Sequence, residues 1–231
     1  MPGALSHFCS VRLICGTAVL AACALAAHAQ SGNSMQGTRV LDASPLKPPA
    51  GARVAMIEFE DMECPVCASD NLTLKQAAAT YKIPWVRHDF PLHQHVWSFQ
   101  AAVNARWFDT RSKKLGDDYR DAIFANQSAI YNLNVLSTFT QRFAQGHGVA
   151  LPFAIDPQGK LAADVKADYA LGARIGVRQT PTVWIVAARS KGAPYVEISA
   201  NMSGLYQTID QALADTKDAA APSARKRSTT R

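Results

Sequence analysis

Val54-Ala55-Met56-Ile57-Glu58-Phe59 is nearly unbroken apolar sequence, and after four intervening residues comes Cys64-Pro65-Val66-Cys67. The first run reads as a strand buried on both faces. The sequence from the cysteines to about Thr80 reads as helix. A helix N-terminus offers unpaired N–H groups and the positive end of the macrodipole. Both stabilise a thiolate, and the thiolate is the species that attacks a disulfide. Cys64 is therefore expected at the helix start as an exposed nucleophile. Cys67 lies about one turn further in, near enough to close a disulfide with Cys64. It shares a face with Leu74, Ala78 and Tyr81, a stripe that Asn71 interrupts, so it points at the core. Pro65 suits the first helical position, where its missing N–H costs nothing.

The cysteine count narrows the setting. The 231 residues are 48% apolar, enough for a real core, and hold five cysteines. Cys9, Cys15 and Cys23 fall in a stretch that reads as a secretion signal: Arg12, an apolar run from Leu13 to about Ala27, then the small-x-small site Ala27-His28-Ala29. The run is short for a membrane span. Residues 1–29 are thus expected to be a signal peptide cleaved after Ala29. A competing reading takes Leu20-Ala21-Ala22-Cys23 as a lipobox, with Cys23 as a lipidated N-terminus. Either way the body is periplasmic or otherwise extracytoplasmic, and Cys64 and Cys67 are its thiols for redox chemistry. A single CxxC in an exported chain is expected to exchange disulfides rather than to staple a fold.

The net charge of +6 is concentrated at one end. Lys217, Arg225, Lys226, Arg227 and Arg231 stand against one acid, Asp218. Residues 216–231 therefore read as a basic disordered tail, and a nucleic-acid-binding face is not supported. Residues 30–52, rich in Ser, Gly and Pro, read as a linker or N-terminal arm. The folded domain is expected over 53–215.

Within it, Ile83 to Phe90 is a second strand. From about 95 to 150 the pattern turns helical. One stripe is Trp97, Ala101, Ala105 and Phe108, another Tyr119 and Ile123, a third Leu136, Phe139 and Phe143. These stripes predict an inserted helical subdomain, its aromatic residues being core rather than a ligand box. A further helix carries Leu161, Val165 and Tyr169 and ends near Gly176. Val183–Ala187 and Tyr195–Ser199 predict a hairpin. Ser203 is expected to cap a last helix with Leu205, Ile209 and Leu213.

This order, with Cys64-Pro65-Val66-Cys67 after the first strand and Thr180-Pro181-Thr182 before the third, resembles the thioredoxin fold. The class is α/β, and the helical insertion makes the chain look like the DsbA-like branch of exported thiol–disulfide oxidoreductases. The similarity runs from about Ala52 to Asp215 and rests chiefly on Glu58 to Cys67 and Gly176 to Thr182, with Phe90-Pro91-Leu92 also family-like. The resemblance implies that Pro181 is a cis-proline lying against the cysteines, where the alternative is an ordinary trans proline opening a strand. The backbone of Thr180 would then pair with a bound substrate segment, beside Pro65 and Val66. Gln179 stands where many relatives have glycine. The resemblance also implies that Glu58, six residues before Cys64, is a buried acid moving protons to and from Cys67, as against a strand-end glutamate reaching solvent. A buried carboxyl with raised pKa can do this near neutral pH.

Glu60, Asp61 and Glu63 are expected to crowd Cys64 and raise its pKa. Val66 stands where the most oxidising relatives carry histidine. Both features predict a less extreme oxidant, and the direction of exchange stays open. No cofactor is needed. The expected partners are exported proteins with thiols or disulfides and an unidentified redox partner. About twenty linker-like residues precede the fold, which favours a monomer. The rival from another class is a soft-metal binder joining Cys64 and Cys67 to His93 and His95, or to His88. Zinc wants four ligands and the i, i+2 spacing is awkward. A third reading is a thioredoxin-like domain used only for binding, which would not need both cysteines.

Overall fold

The computed structural model describes residues 42–198 and 201–217. The signal or lipobox reading of 1–29, the start of the arm, Ser199 and the tail from Asp218 lie outside the described residues.

The strand read from the apolar run is β1, Val54–Glu60, and every residue of it is buried. It lies between β2, Trp85–Asp89, in parallel and β3, Thr182–Ala187, antiparallel, and β4, Tyr195–Ile198, pairs with β3. The strand order is β2-β1-β3-β4. A parallel pair needs a crossover, and α1, Pro65–Tyr81, supplies it. Four helices then precede β3: α2, Ser98–Asp109; α3, Lys113–Ala125; α4, Leu133–Gly146; and α5, Lys160–Ile175. A 3-10 turn, Gln127–Ala129, joins α3 to α4. The last helix is α6, Leu205–Asp215.

Because β1 alternates its side chains, it feeds two cores. Val54 and Met56 pack with α1 residues Leu74 and Ala77 and with Leu205 and Ile209 of α6. Ala55, Ile57 and Phe59 pack with Phe90, Ile175, Val177 and Trp184. Here α5 comes so close that a Cβ on Gly172 would stand 2.7 Å from Phe90 and 2.9 Å from Phe59. The third core belongs to the helical block. Trp97, Ala101, Ala105, Phe108, Tyr119, Ile123 and Leu136 fill it, so the predicted stripes are packing surfaces. Met62, Cys64 and Cys67 belong to this same cluster. The cysteines therefore sit where the sheet meets the helical block.

Three local expectations are corrected. Asn71 does not interrupt the inward face of α1; it is one of its buried residues, because its carboxamide bonds Asp121 at 3.0 Å and Arg87 at 3.1 Å. Part of the stretch read as linker is core, since Ala43 and Leu46 are buried against Ile57 and Trp184. Ser203 does not cap α6; Gly204, at φ +78°, holds that position.

Candidate active site

Cys64 is the N-cap of α1, in extended conformation (φ −79°, ψ 120°), and no side chain caps the helix. Pro65 opens the helix as expected. The backbone N–H groups of Cys67 and Val66 are thereby left to turn back towards the Cys64 sulfur. Cys67 is fully buried, and Cys64 is only 6% exposed, less than an exposed nucleophile would be. Val66, 45% exposed, stands out beside it.

The Thr180–Pro181 peptide bond is cis. The Cys64 thiol donates to the Thr180 carbonyl at 3.2 Å, across 116 residues of sequence. That bond suits the neutral thiol. For the thiolate the useful group is the Thr180 hydroxyl, which is buried and has no hydrogen-bond partner among the described residues. The cysteines are both free thiols.

Their proton affinities diverge. The Cys67 thiol, as hydrogen-bond donor, does most to bring Cys64 down to about 5; Thr180 and the N–H groups of Cys67 and Val66 add to it, against the cost of burial. Burial pushes Cys67 the other way, well above the ordinary thiol value, and the neighbouring Cys64 and the charge of Glu58 add to that rise. One sulfur is thus charged at neutral pH, and the other keeps its proton.

The expectation that nearby acids raise the pKa of Cys64 is overturned, because each acid is committed elsewhere. Glu60 takes two bonds from Arg87, at 2.9 and 2.6 Å, and lies 3.3 Å from Arg120. Asp61 accepts from the N–H of Glu63 at 2.7 Å and of Leu92 at 2.6 Å, from the Ser98 hydroxyl, and faces His95 Nδ1 at 2.7 Å. Glu63 accepts from the first N–H groups of α2, Trp97 at 2.8 Å and Ser98 at 3.1 Å. These acids build the turn that carries Cys64.

Glu58 is 1% exposed, buried on the side of β1 that faces α1. Burial, with the charge of Glu60, raises its pKa to about 8, against the pull of Arg87 and a hydrogen bond from Trp85. The Trp85 indole N–H donates to it at 3.0 Å. The alternative of a glutamate reaching solvent is thereby excluded.

Several contributors were missed by the sequence reading. Trp85 and Arg87 alternate on β2 in register with Met56 and Glu58. That alternation is visible in the sequence and signals a polar face. Gln127 leaves no such trace, yet its carboxamide bonds the carbonyls of Met62 and Cys64.

The histidines of the metal reading are not gathered round the thiols. His88 pairs with Asp168 at 2.7 Å and stacks on Phe59. His93 meets the Tyr169 hydroxyl at 3.1 Å, and His95 pairs with Asp61. Among the described residues no three His, Cys, Asp or Glu side chains are grouped to hold a metal ion.

A CxxC pair at the start of the first helix, beneath a cis-proline loop and with a helical block between the second and third strands, defines the thioredoxin fold, with the helical insertion also seen in DsbA structures. The chain belongs to the thioredoxin family, whose model matches residues 50–222. No curated protein sequence matches it. Among solved structures it is similar to α-DsbA1 of Wolbachia pipientis, with TM-score 0.56 and 19% identity over 73% of this chain and 89% of that one. DsbA2 of Pseudomonas aeruginosa gives TM-score 0.54 and 20% identity over 75% and 94%. A periplasmic thioredoxin-like protein from Salmonella enterica serovar Typhimurium gives 0.55 and 15% over 76% and 94%. At these identities the likeness is one of fold.

Proposed function

We propose that the protein is an exported thiol–disulfide oxidoreductase that exchanges disulfides with protein substrates through Cys64-Pro65-Val66-Cys67. The observation that carries this reading is the split between the two sulfurs, Cys64 lowered to about 5 and Cys67 raised. In the oxidising direction a substrate thiolate attacks Cys64 Sγ of the Cys64–Cys67 disulfide. A mixed disulfide forms, and Cys67 leaves as a thiolate that takes a proton. A second substrate thiolate then attacks the substrate sulfur of the mixed disulfide, and Cys64 leaves as a thiolate. Two electrons pass from the substrate dithiol to the protein.

Stabilising the departing Cys64 thiolate favours this direction, since stabilising the reduced form is what makes such a protein oxidising. Glu58, with its pKa near 8 and its charge acting on Cys67, is suited to supply and recover the Cys67 proton. Pro181 sets the approach over the sulfurs, while the Thr180 backbone with Pro65 and Val66 receives the substrate segment. In this reading residues 1–29 direct export, by cleavage after Ala29 or lipidation at Cys23. Partners are exported proteins and a redox protein that restores the disulfide, and the chain acts as a monomer. The solved relative from Salmonella enterica, described as periplasmic, supports that setting.

The test is trapping. Cys67→Ala, expressed in an exporting bacterial host, should hold substrates covalently on Cys64 as reductant-sensitive bands on non-reducing gels. Cys64→Ala should trap far fewer, and Pro181→Thr should prolong the complexes. A folded, exported Cys67→Ala protein without adducts would remove the support for the proposal.

A further inference from the structure

We propose that Gln127, on the turn between α3 and α4, is a positioning residue for the dithiol, holding the Met62–Cys64 turn so that the Cys64 sulfur keeps its contacts. The inference deepens the oxidoreductase reading and rests on Cys64 being its attacking thiol.

The turn before α1 is tied to Leu92, His95 and the start of α2 through the Asp61 and Glu63 carboxylates, and its own N–H groups are held within it. The Cys64 N–H bonds the Asp61 carbonyl at 3.0 Å, and the Glu63 N–H bonds the Asp61 carboxylate at 2.7 Å. Both ties hold N–H groups. The carbonyls point the other way, towards the helical block. There the Gln127 Nε2 donates to Met62 O at 2.9 Å and to Cys64 O at 3.0 Å. One NH₂ group has two hydrogens, and both are used. Among the described residues the carbonyl of Cys64 otherwise receives only the first-turn N–H of Ala68, at 3.2 Å. Two anchors on alternate carbonyls fix the Met62–Glu63 and Cys64–Pro65 peptide planes. They thereby fix the backbone of Cys64, and with it the sulfur against Thr180.

Gln127 is placed by its own turn and by the residue that follows it. It opens the 3-10 turn Gln127–Ala129, its carbonyl accepts from Ile130 N at 3.0 Å, and Ile130 is buried in the helical core. The tie therefore links the turn between α3 and α4 to the nucleophile, across 63 residues of sequence.

A plain tertiary staple would make the same two bonds, so the test must read the thiol and not only stability. In the full-length reduced protein, thiolate absorbance at 240 nm is followed against pH for Gln127→Leu, which keeps the size and loses the donor, and for Gln127→Lys, which keeps a donor and adds charge. Gln127→Leu should raise the apparent pKa of Cys64 by about half to one unit, and shift the equilibrium with glutathione roughly three- to tenfold towards the protein disulfide. Gln127→Lys should leave the pKa at or below the wild-type value. A Leu variant with a lower thermal midpoint and an unchanged thiol pKa overturns the proposal, as does a Lys variant whose pKa rises like that of Leu. If the pKa shifts while Cys67→Ala traps no partner, the positioning role stands and the oxidoreductase reading falls.

Discussion

Replacing Cys67 by alanine tests the arrangement at its centre. The largest influence holding Cys64 near 5 is the hydrogen bond from the Cys67 thiol. A bond to a charged acceptor contributes about 1.5–3 kcal/mol, and S–H is a weak donor, so the lower end applies. At about 1.4 kcal/mol per pKa unit, losing it should raise Cys64 by roughly one unit. The value should stay well below the ordinary 9.0, because Thr180 and the N–H groups of Cys67 and Val66 remain. The assay is the rate of iodoacetamide alkylation of reduced protein against pH, wild type beside Cys67→Ala. An unchanged value would show that the backbone alone holds the thiolate, and a rise to near 9 would show that the helix start contributes nothing. Either result would refute the division of labour argued here. The sign for stability follows too. The folded value lies below the ordinary one, so the Cys64 thiolate stabilises the reduced protein above pH 9 and that stabilisation is lost as pH falls through about 5. Screening by water that reaches the sulfur reduces its size, so roughly 1–2 kcal/mol is expected at pH 7.

Glu58→Gln should slow exchange near neutral pH without unfolding the domain, and an unchanged pH–rate profile would count against proton transfer by Glu58. The folded pKa of Glu58, about 8, lies above the usual 4.5, so its contribution to stability is present below 4.5 and lost as pH rises through 8. Urea unfolding should therefore show the Gln variant gaining on wild type across that window, by a few kcal/mol at about 1.4 per unit; parallel curves would contradict the burial argument. Arg87→Met leaves Glu60 charged and buried, with side-chain exposures of 3% and 1% in the pair, and should cost about 3–5 kcal/mol in denaturant unfolding. A loss under about 1 kcal/mol would mean that Arg120 alone holds Glu60. Gly172→Ala drives a Cβ into Phe90 and Phe59 and should cost about 1–3 kcal/mol; a neutral result in thermal unfolding would show that α5 can move away.

The sequence by itself determined the strand, the cysteine pair, the helix behind it and the insertion. Those are local properties: β1 is apolar throughout, Pro65 marks a helix start, and the stripes of α2 and α3 recur at helical spacing. It also placed Cys67 inward and Pro181 opposite the cysteines, the latter through the family's pattern. It misjudged the acids, because residue type gives a charge but not its partner. Glu60, Asp61 and Glu63 look like a negative cluster until Arg87, Ser98, His95 and the start of α2 fold onto them. It misjudged Asn71 for the same reason, since a buried carboxamide is paired only once Arg87 and Asp121 arrive. The proton affinity of Cys64 was the furthest from view. It depends on Cys67 across one turn, on Thr180 from 116 residues away and on a turn that Gln127 reaches from the helical block. Such contacts have no sequence period, because they are made by groups that meet only when the sheet and the helices close on one another. Only the tertiary structure could decide them.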